Sequence, residues 1–309
     1  MARYRILSFD GGGIRGVVSA TLLEGLVGKF PELVDSADLI AGTSTGGIIA
    51  IGLAAGMSPT ELRQLYEDRG KVIFDDSLWD DIVDLGGLTG ADYSTDGLSE
   101  ELEKVLGDKK LSQLNKHVLI PTFDLDNEDP DPKKRSWKPK FFHNFPGEDS
   151  DGEELARRVA MYTSAAPTYF PSVDGYIDGG VIANNPSMAA LAQTQDKRVL
   201  DPPPKLSDIR LLSFGTGKSL TYIQGSQNDW GYAQWARPLI SLMLEGSMGV
   251  ADYQCRKMLG EEGYYRVDVT FDPDHSYPLD DVSKIPKLKQ HAQSYDPQEV
   301  ENWLSANWF

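Results

Sequence analysis

Apolar residues along this chain fall into two kinds of run. Short, nearly unbroken stretches at Tyr4–Phe9, Leu39–Ala41, His117–Phe123 and Ile209–Phe214 read as strands buried on both faces. Phe141–Phe145, Val173–Ile177 and Tyr264–Phe271 read as further strands, the last by its alternation. Between them lie longer runs of helical character: Val17–Phe30, Gly47–Ala55, Pro59 to about Phe74, Asp96–Leu106, Glu153–Met161 and Trp235–Leu259. Ser58-Pro59 supplies an N-cap and a first-turn proline, and Thr95 or Asp96 caps the next helix. Pro238 and Gly246 are expected to interrupt the 235–259 helix. The tail from Asp296-Pro297 is expected to form a short helix with Val300, Trp303, Leu304 and Trp308 on one core-facing side. Phe74–Asp96 is irregular, acidic and carries Trp79; it reads as a packed loop rather than a lid.

A chain of 309 residues accommodates one large α/β domain or two small ones, and no shift in composition cuts it. It is therefore read as one unit over 1–309, with a motif-bearing core at about 4–217 and a C-terminal extension at about 218–309. The formal net charge of −17 argues against a nucleic-acid partner and against strong attraction to anionic lipid by bulk charge. Cys255 is the only cysteine, which rules out an internal disulfide and a cysteine-based metal site. The first residues lack the apolar core of a signal peptide, and no run reaches transmembrane length, so a cytoplasmic protein without a membrane anchor is expected, at most peripheral at membranes.

Candidate chemistry gathers at three glycine-rich corners. Gly42-Thr43-Ser44-Thr45-Gly46 fits G-x-S-x-G between a buried strand and an apolar helix. A strand turning sharply into a helix strains the residue at the corner, and glycines two positions away relieve the crowding. The serine hydroxyl then stands at a helix N-terminus, where developing negative charge is favoured. Asp10-Gly11-Gly12-Gly13-Ile14-Arg15-Gly16 follows the first strand and precedes a helix, an arrangement whose backbone N–H groups can converge on an anion. Asp178-Gly179-Gly180 follows the strand at 173–177, with Asn184-Asn185-Pro186 opening the next helix. Ligand and catalytic groups collect at this carboxyl edge of α/β sheets.

Other readings of these residues stay open. Gly11, Gly13 and Gly16 also satisfy G-x-G-x-x-G of a dinucleotide fold, with Glu32 and Asp35 as poorly placed acidic partners. Ser44, Asp178 and His275 follow the chain order of an α/β-hydrolase triad. Gly215-Thr216-Gly217-Lys218 resembles only part of a phosphate loop. Lys133 to Lys140 is the one dense basic patch; with Trp137 it could dock on a lipid interface, or it is a solvated hairpin tip.

Taken in order, the three corners resemble the patatin-like phospholipase family. Asp-Gly-Gly-Gly-Ile-Arg-Gly at 10–16 looks like its oxyanion loop, Gly-Thr-Ser-Thr-Gly at 42–46 its nucleophile elbow, and Asp-Gly-Gly at 178–180 its second catalytic motif. Ser164 to Pro171 and Asn184-Asn185-Pro186 look like further family signatures. The resemblance implies an α/β fold, with a central, mostly parallel sheet sandwiched by helices in three layers. It implies a dyad in which Ser44 is the nucleophile and Asp178 its base, with Gly11, Gly12, Gly13 and Arg15 forming or supporting the oxyanion hole. Gly42, Gly46, Gly179 and Gly180 would support the motifs. It further implies hydrolysis of fatty acyl esters of phospholipids and lysophospholipids, met at a membrane or micelle interface, with neither metal nor cofactor. A non-catalytic lipid-binding or storage protein on the same scaffold is the remaining alternative.

Overall fold

The computed structural model describes residues 3–73, 94–197, 200–225, 228–272 and 277–309. Seven strands form one sheet: β1 (Tyr4–Phe9), β2 (Leu39–Gly42), β3 (His117–Asp124), β4 (Lys138–His143), β5 (Tyr176–Asp178), β6 (Ile209–Phe214) and β7 (Tyr264–Val267). The spatial order is β4-β3-β2-β1-β6-β7, with β5 paired to β3 off this path. Pairs β3–β2, β2–β1, β1–β6 and β6–β7 are parallel, whereas β4 and β5 both run antiparallel to β3. Buried parallel strands tolerate apolar residues on both faces, which is why the central runs show no alternation.

Alternate strand residues feed two separate cores. Leu7, Phe9, Ile40, Val118, Ile120, Leu212 and Phe214 pack under α1 (Gly16–Lys29), α2 (Thr45–Ala54), α3 (Pro59–Ile73), α4 (Asp96–Leu106), α5 (Ala156–Ser164), α9 (Ile285–Gln293) and α10 (Gln298–Trp303). Ile6, Leu39, Ala41, Leu119, Ile209 and Leu211 pack under α7 (Ser187–Gln193) and α8 (Tyr232–Gly263). The result is a three-layer α/β sandwich. A single turn, α6 (Gly180–Ala183), joins β5 to α7.

Several boundaries differ from expectation. Val173 stands outside β5 and forms an isolated bridge with Tyr176. Lys138 and Lys140 of the basic patch belong to β4, paired with Asp124 and Thr122. Pro238 and Gly246 do not break α8; its one non-helical residue is Gly260, at φ 67°. α9, in a stretch for which no element was expected, buries Ile285, Leu288 and Ala292 at the helical spacing i, i+3, i+7. The tail lies as expected, with Val300, Trp303, Leu304 and Trp308 buried. Trp79 and the rest of 74–93 lie outside the described residues.

One detail of pairing positions the site. β2 occupies one flank of β3 only from His117 to Leu119. β5 pairs with β3 from Thr122 to Asp124 and runs in the opposite direction. β4 lines the other flank over Leu119–Asp124, so β5 takes the flank that β2 leaves. The two short strands therefore meet end to end. Asp178, opposite Thr122, is the β5 residue nearest the end of β2.

Candidate active site

The elbow after β2 has the strain its sequence implies. Ser44 sits at φ 55°, ψ −125°, a conformation a non-glycine residue holds only when its surroundings enforce it. A Cβ on Gly42 would lie 2.0 Å from the Gly46 carbonyl oxygen, and one on Gly46 would lie 2.2 Å from that of Phe9. Only glycine lets the corner close this tightly against β1. Thr163 of α5 holds it from the side: the Ser44 N–H donates to the Thr163 hydroxyl at 2.9 Å, which donates to the Pro121 carbonyl at 2.6 Å. Ser44 is 9% exposed and stands where α2 begins, with the Ile48 N–H bonded to its carbonyl.

Asp178 lies across the gap between β2 and β5. The Ser44 hydroxyl lies beside its carboxylate. The Gly180 N–H donates to Oδ1 at 2.6 Å, and the Asp178 N–H donates to the Ala165 carbonyl at 2.9 Å. Burial pushes this carboxyl up to about 6, against the neighbouring Ser44 hydroxyl and the Gly180 N–H, which favour its ionised form. Gly179 packs on Pro121, where a Cβ would be 2.1 Å from the carbonyl oxygen, so the turn lies flat on β3.

The glycine loop at 10–16 comes to the same place from β1. A Cβ on Gly11 would lie 3.3 Å from Cβ of Ser44 and 2.1 Å from Oδ1 of Asn184. The Gly11 N–H donates to the Asn184 carbonyl at 2.9 Å, and its own carbonyl accepts from the Thr216 hydroxyl at 3.0 Å. The Ile14 N–H donates to the Leu279 carbonyl at 2.8 Å. Among the described residues, the N–H groups of Gly12 and Gly13 have no acceptor. Arg15 lies behind the loop, its guanidinium donating to the Gly217 carbonyl at 3.4 Å.

A buried polar cluster underlies that loop, and the chain read in isolation did not reveal it. Asp10 is fully buried and pairs with Arg266 of β7 at 2.7 Å. Arg266 also contacts Asp268 at 2.8 Å and the Ser213 hydroxyl at 3.0 Å. Burial raises the Asp10 carboxyl to about 7 even beside this guanidinium. Burial also opposes the charge on Arg266, but Asp10 and Asp268 outweigh it and hold the group firmly protonated. The 215–218 loop is filled from within. Gly215, Gly217 and Lys218 N–H groups donate to the Val267 carbonyl, Asp268 Oδ1 and the Val269 carbonyl at 2.8, 2.9 and 2.8 Å. A phosphate cradle needs such donors free.

The structure brings Ser44, Asp178 and Gly11 together, with Gly12 and Gly13 following in the same loop and Arg15 behind it. His117 begins β3 beside Leu39, at the sheet end away from the elbow, and His143 pairs with Leu119 on β4, with β3 between it and β2. His291 Nε2 lies 2.8 Å from the Tyr277 hydroxyl. His275 lies outside the described residues. Glu32 and Asp35 precede β2 rather than ending it, so neither sits where a ribose-binding acid belongs. Among the described residues, no group of three His, Cys, Asp or Glu side chains could hold a metal ion. Thr163, Arg266 and Asp268 carry no sequence signal because each reaches the site through tertiary contact, from outside the glycine motifs.

A serine on a strained strand–helix corner, beside a buried aspartate and a glycine loop, is the kind of arrangement that nucleophilic acyl transfer requires. The family model for patatin-like phospholipase matches residues 7–191. The chain is 30% identical to the sporulation protein CotR of Bacillus subtilis, over 100% of this chain and 99% of CotR. It is 30% identical to patatin-like protein 1 of Oryza sativa subsp. indica, covering 83% and 70% of the two chains. With the cGAMP-activated phospholipase of Pseudomonas aeruginosa it shares 28% identity, covering 91% and 83%. The chain belongs to the patatin-like phospholipase family.

Proposed function

We propose that the protein is a lipid acyl hydrolase that cleaves fatty acyl esters of phospholipids or lysophospholipids through a Ser44–Asp178 dyad. The observation that carries this reading is a strained Ser44 whose hydroxyl lies beside the carboxylate of a buried Asp178, where β2 and β5 meet, with no imidazole of the described residues placed between them. Ser44 Oγ attacks the ester carbonyl while Asp178 takes its proton. Negative charge builds on the carbonyl oxygen, facing the N–H groups of Gly12 and Gly13 and the N-terminus of α2. Collapse releases the lysolipid or alcohol, protonated by Asp178, and leaves an acyl-Ser44. Water, deprotonated by the same carboxylate, then frees the fatty acid.

Two surface features support a lipid substrate met at an interface. The β3–β4 hairpin leaves the sheet at the same edge as Ser44, and its Trp137 is 73% exposed. Leu244 of α8 packs on Gly180, two residues from Asp178. The same helix exposes Leu239, Ile240, Leu242 and Met243. Among the described residues, no helix is long and apolar enough to cross a membrane.

The test is a fluorophosphonate probe followed by hydrolysis of a panel of phospholipids and lysolipids. Covalent label at Ser44, and turnover that vanishes in Ser44→Ala, are the expected results. Labelling or turnover that persists in Ser44→Ala overturns the assignment.

A further inference from the structure

The family model ends at residue 191, yet several of the groups that hold the glycine loop in place lie well beyond it. We propose that Arg266, on the edge strand β7, is a positioning residue for the oxyanion loop, clamping Asp10 and the 215–217 loop so that the Gly12 and Gly13 N–H groups face Ser44. The inference rests on the hydrolase reading above.

Three strand ends meet at the clamp. Phe9, Phe214 and Val267 lie in register across β1, β6 and β7. Beyond them the chain leaves the sheet in three successive loops. The Asp10 N–H donates to the Phe214 carbonyl at 3.0 Å and that of Gly215 to the Val267 carbonyl at 2.8 Å, so the loops start from a common base. Arg266 then joins them through side chains. Its Nη2 donates to Asp10, the residue before Gly11, at 2.7 Å. The same Nη2 donates to Asp268 Oδ2 at 2.8 Å, and Asp268 Oδ1 accepts the Gly217 N–H at 2.9 Å. From there the Thr216 hydroxyl reaches the Gly11 carbonyl at 3.0 Å. The glycine loop is thus held at both its first residues by bonds that trace back to one guanidinium.

The alternatives available to Asp10 make the clamp consequential. Its side chain is fully buried, and Oδ1 has no partner among the described residues. Without Arg266, a buried lone carboxylate must take up a proton or move toward water. The first leaves the residue to which Gly11 is bonded without its anchor, and the second displaces it. There is little slack to absorb the shift, because a Cβ on Gly12 would already lie 2.4 Å from the Thr216 hydroxyl. Ser44 and Asp178 are held separately, by α5 and by the β3 pairing of β5. Loss of the clamp therefore misplaces the donors for the developing oxyanion and leaves the dyad and the ground-state substrate contacts in place.

The experiment compares Arg266→Met, Arg266→Lys and Asp268→Asn with the wild-type full chain on a soluble short-chain ester. It also measures the rate of fluorophosphonate labelling and inhibition by a non-hydrolysable ether analogue of the ester. Removing one oxyanion donor costs ~10²–10³ in rate, and a displaced loop should approach that. The expected pattern is a fall of at least about tenfold in kcat for Arg266→Met, a parallel fall in labelling rate, and little change in KM or ether inhibition. Arg266→Lys should recover part of the loss, since it keeps the charge beside both carboxylates but loses the planar second arm, Nη1, that reaches the Ser213 hydroxyl. Asp268→Asn provides the same reading if Arg266→Met does not fold. A folded Arg266→Met with kcat within about twofold of wild type overturns the proposal. So does a loss confined to KM, or Arg266→Lys no better than Arg266→Met. Wild-type protein without Ser44-dependent turnover would instead bring down the hydrolase reading itself.

Discussion

At the scale of single residues, the dyad reading places two demands on Asp178 that pull in opposite directions. A base must be ionised to accept the Ser44 proton, and burial resists ionisation, lifting its carboxyl to about 6. On the dyad reading, kcat/KM should fall about tenfold per pH unit below that value, because protonated Asp178 cannot act. Stability should move the other way. The folded state holds the Asp178 proton more tightly than the unfolded chain, whose carboxyl titrates at 3.8, so this group's contribution to stability falls as pH rises from about 4 through 6. Asp178→Asn removes the ionised group. It should abolish turnover while stabilising the protein at pH 8, by on the order of 3 kcal/mol. That difference should vanish near pH 4. Paired urea titrations of wild type and Asp178→Asn at the two pH values check this, and Asp10, present in both proteins, cancels. An Asn variant no more stable than wild type at pH 8 would show that the carboxylate carries no such burden.

At the scale of elements, the apolar face of α8 and the β3–β4 hairpin are where a lipid surface would be met. A helix covering a core normally turns polar groups outward, yet α8 exposes Leu239, Ile240, Leu242 and Met243 close to α6 and the Asp178 turn. The hairpin's basic residues are less available than the sequence suggests. Arg135 is paired with Asp126, and Lys140 with Asp151. The interfacial contribution should therefore come mostly from apolar contact. Hydrolysis of one phospholipid, followed below and above its aggregation threshold, should show a jump in rate. Met243→Glu should reduce that jump severalfold and Trp137→Ala more modestly, with activity on a soluble ester unchanged. The absence of a jump in the wild type counts against an interfacial substrate. A jump that both variants keep counts against these two surfaces.

At the scale of the whole molecule, the C-terminal residues close the fold rather than append to it. β6 pairs with β1 along its full length and β7 pairs with β6, so a chain ending at residue 191 would leave β1 as a bare edge. The last turn seals the opposite end of the sheet from the site. Trp308 is fully buried, its indole N–H donating to the Ser36 hydroxyl at 2.8 Å and its carbonyl accepting from Arg5 at 2.8 Å. Trp308→Ala should cost about 3–5 kcal/mol, as large aromatic deletions in closed cores do. Chemical denaturation measures it, and a loss below about 1 kcal/mol would mean that the tail packs loosely.

What the chain determines alone is whatever local geometry demands of local residues. A corner as tight as Gly42 to Gly46 admits few side chains, so it is legible as a pattern of glycines around Ser44. The glycine loop is legible for a related reason, since backbone can approach the Ser44 side chain only where Cβ is missing. Buried parallel strands are legible because both faces must be apolar. Other features belonged to the tertiary structure, because they depend on residues far apart in the chain. That β5 fills the flank of β3 left by β2, and so delivers Asp178 to Ser44, depends on strand register, which no spacing encodes. That Gly11 turns its N–H to Asn184, while Gly12 and Gly13 keep theirs without an acceptor among the described residues, depends on how β1 packs against the turn after β5. Arg266 illustrates the limit most directly. On the sequence it is one charge in a strand of mixed polarity, and it acquires a partner in Asp10, 256 residues away, only when β6 brings β7 to the edge of the sheet.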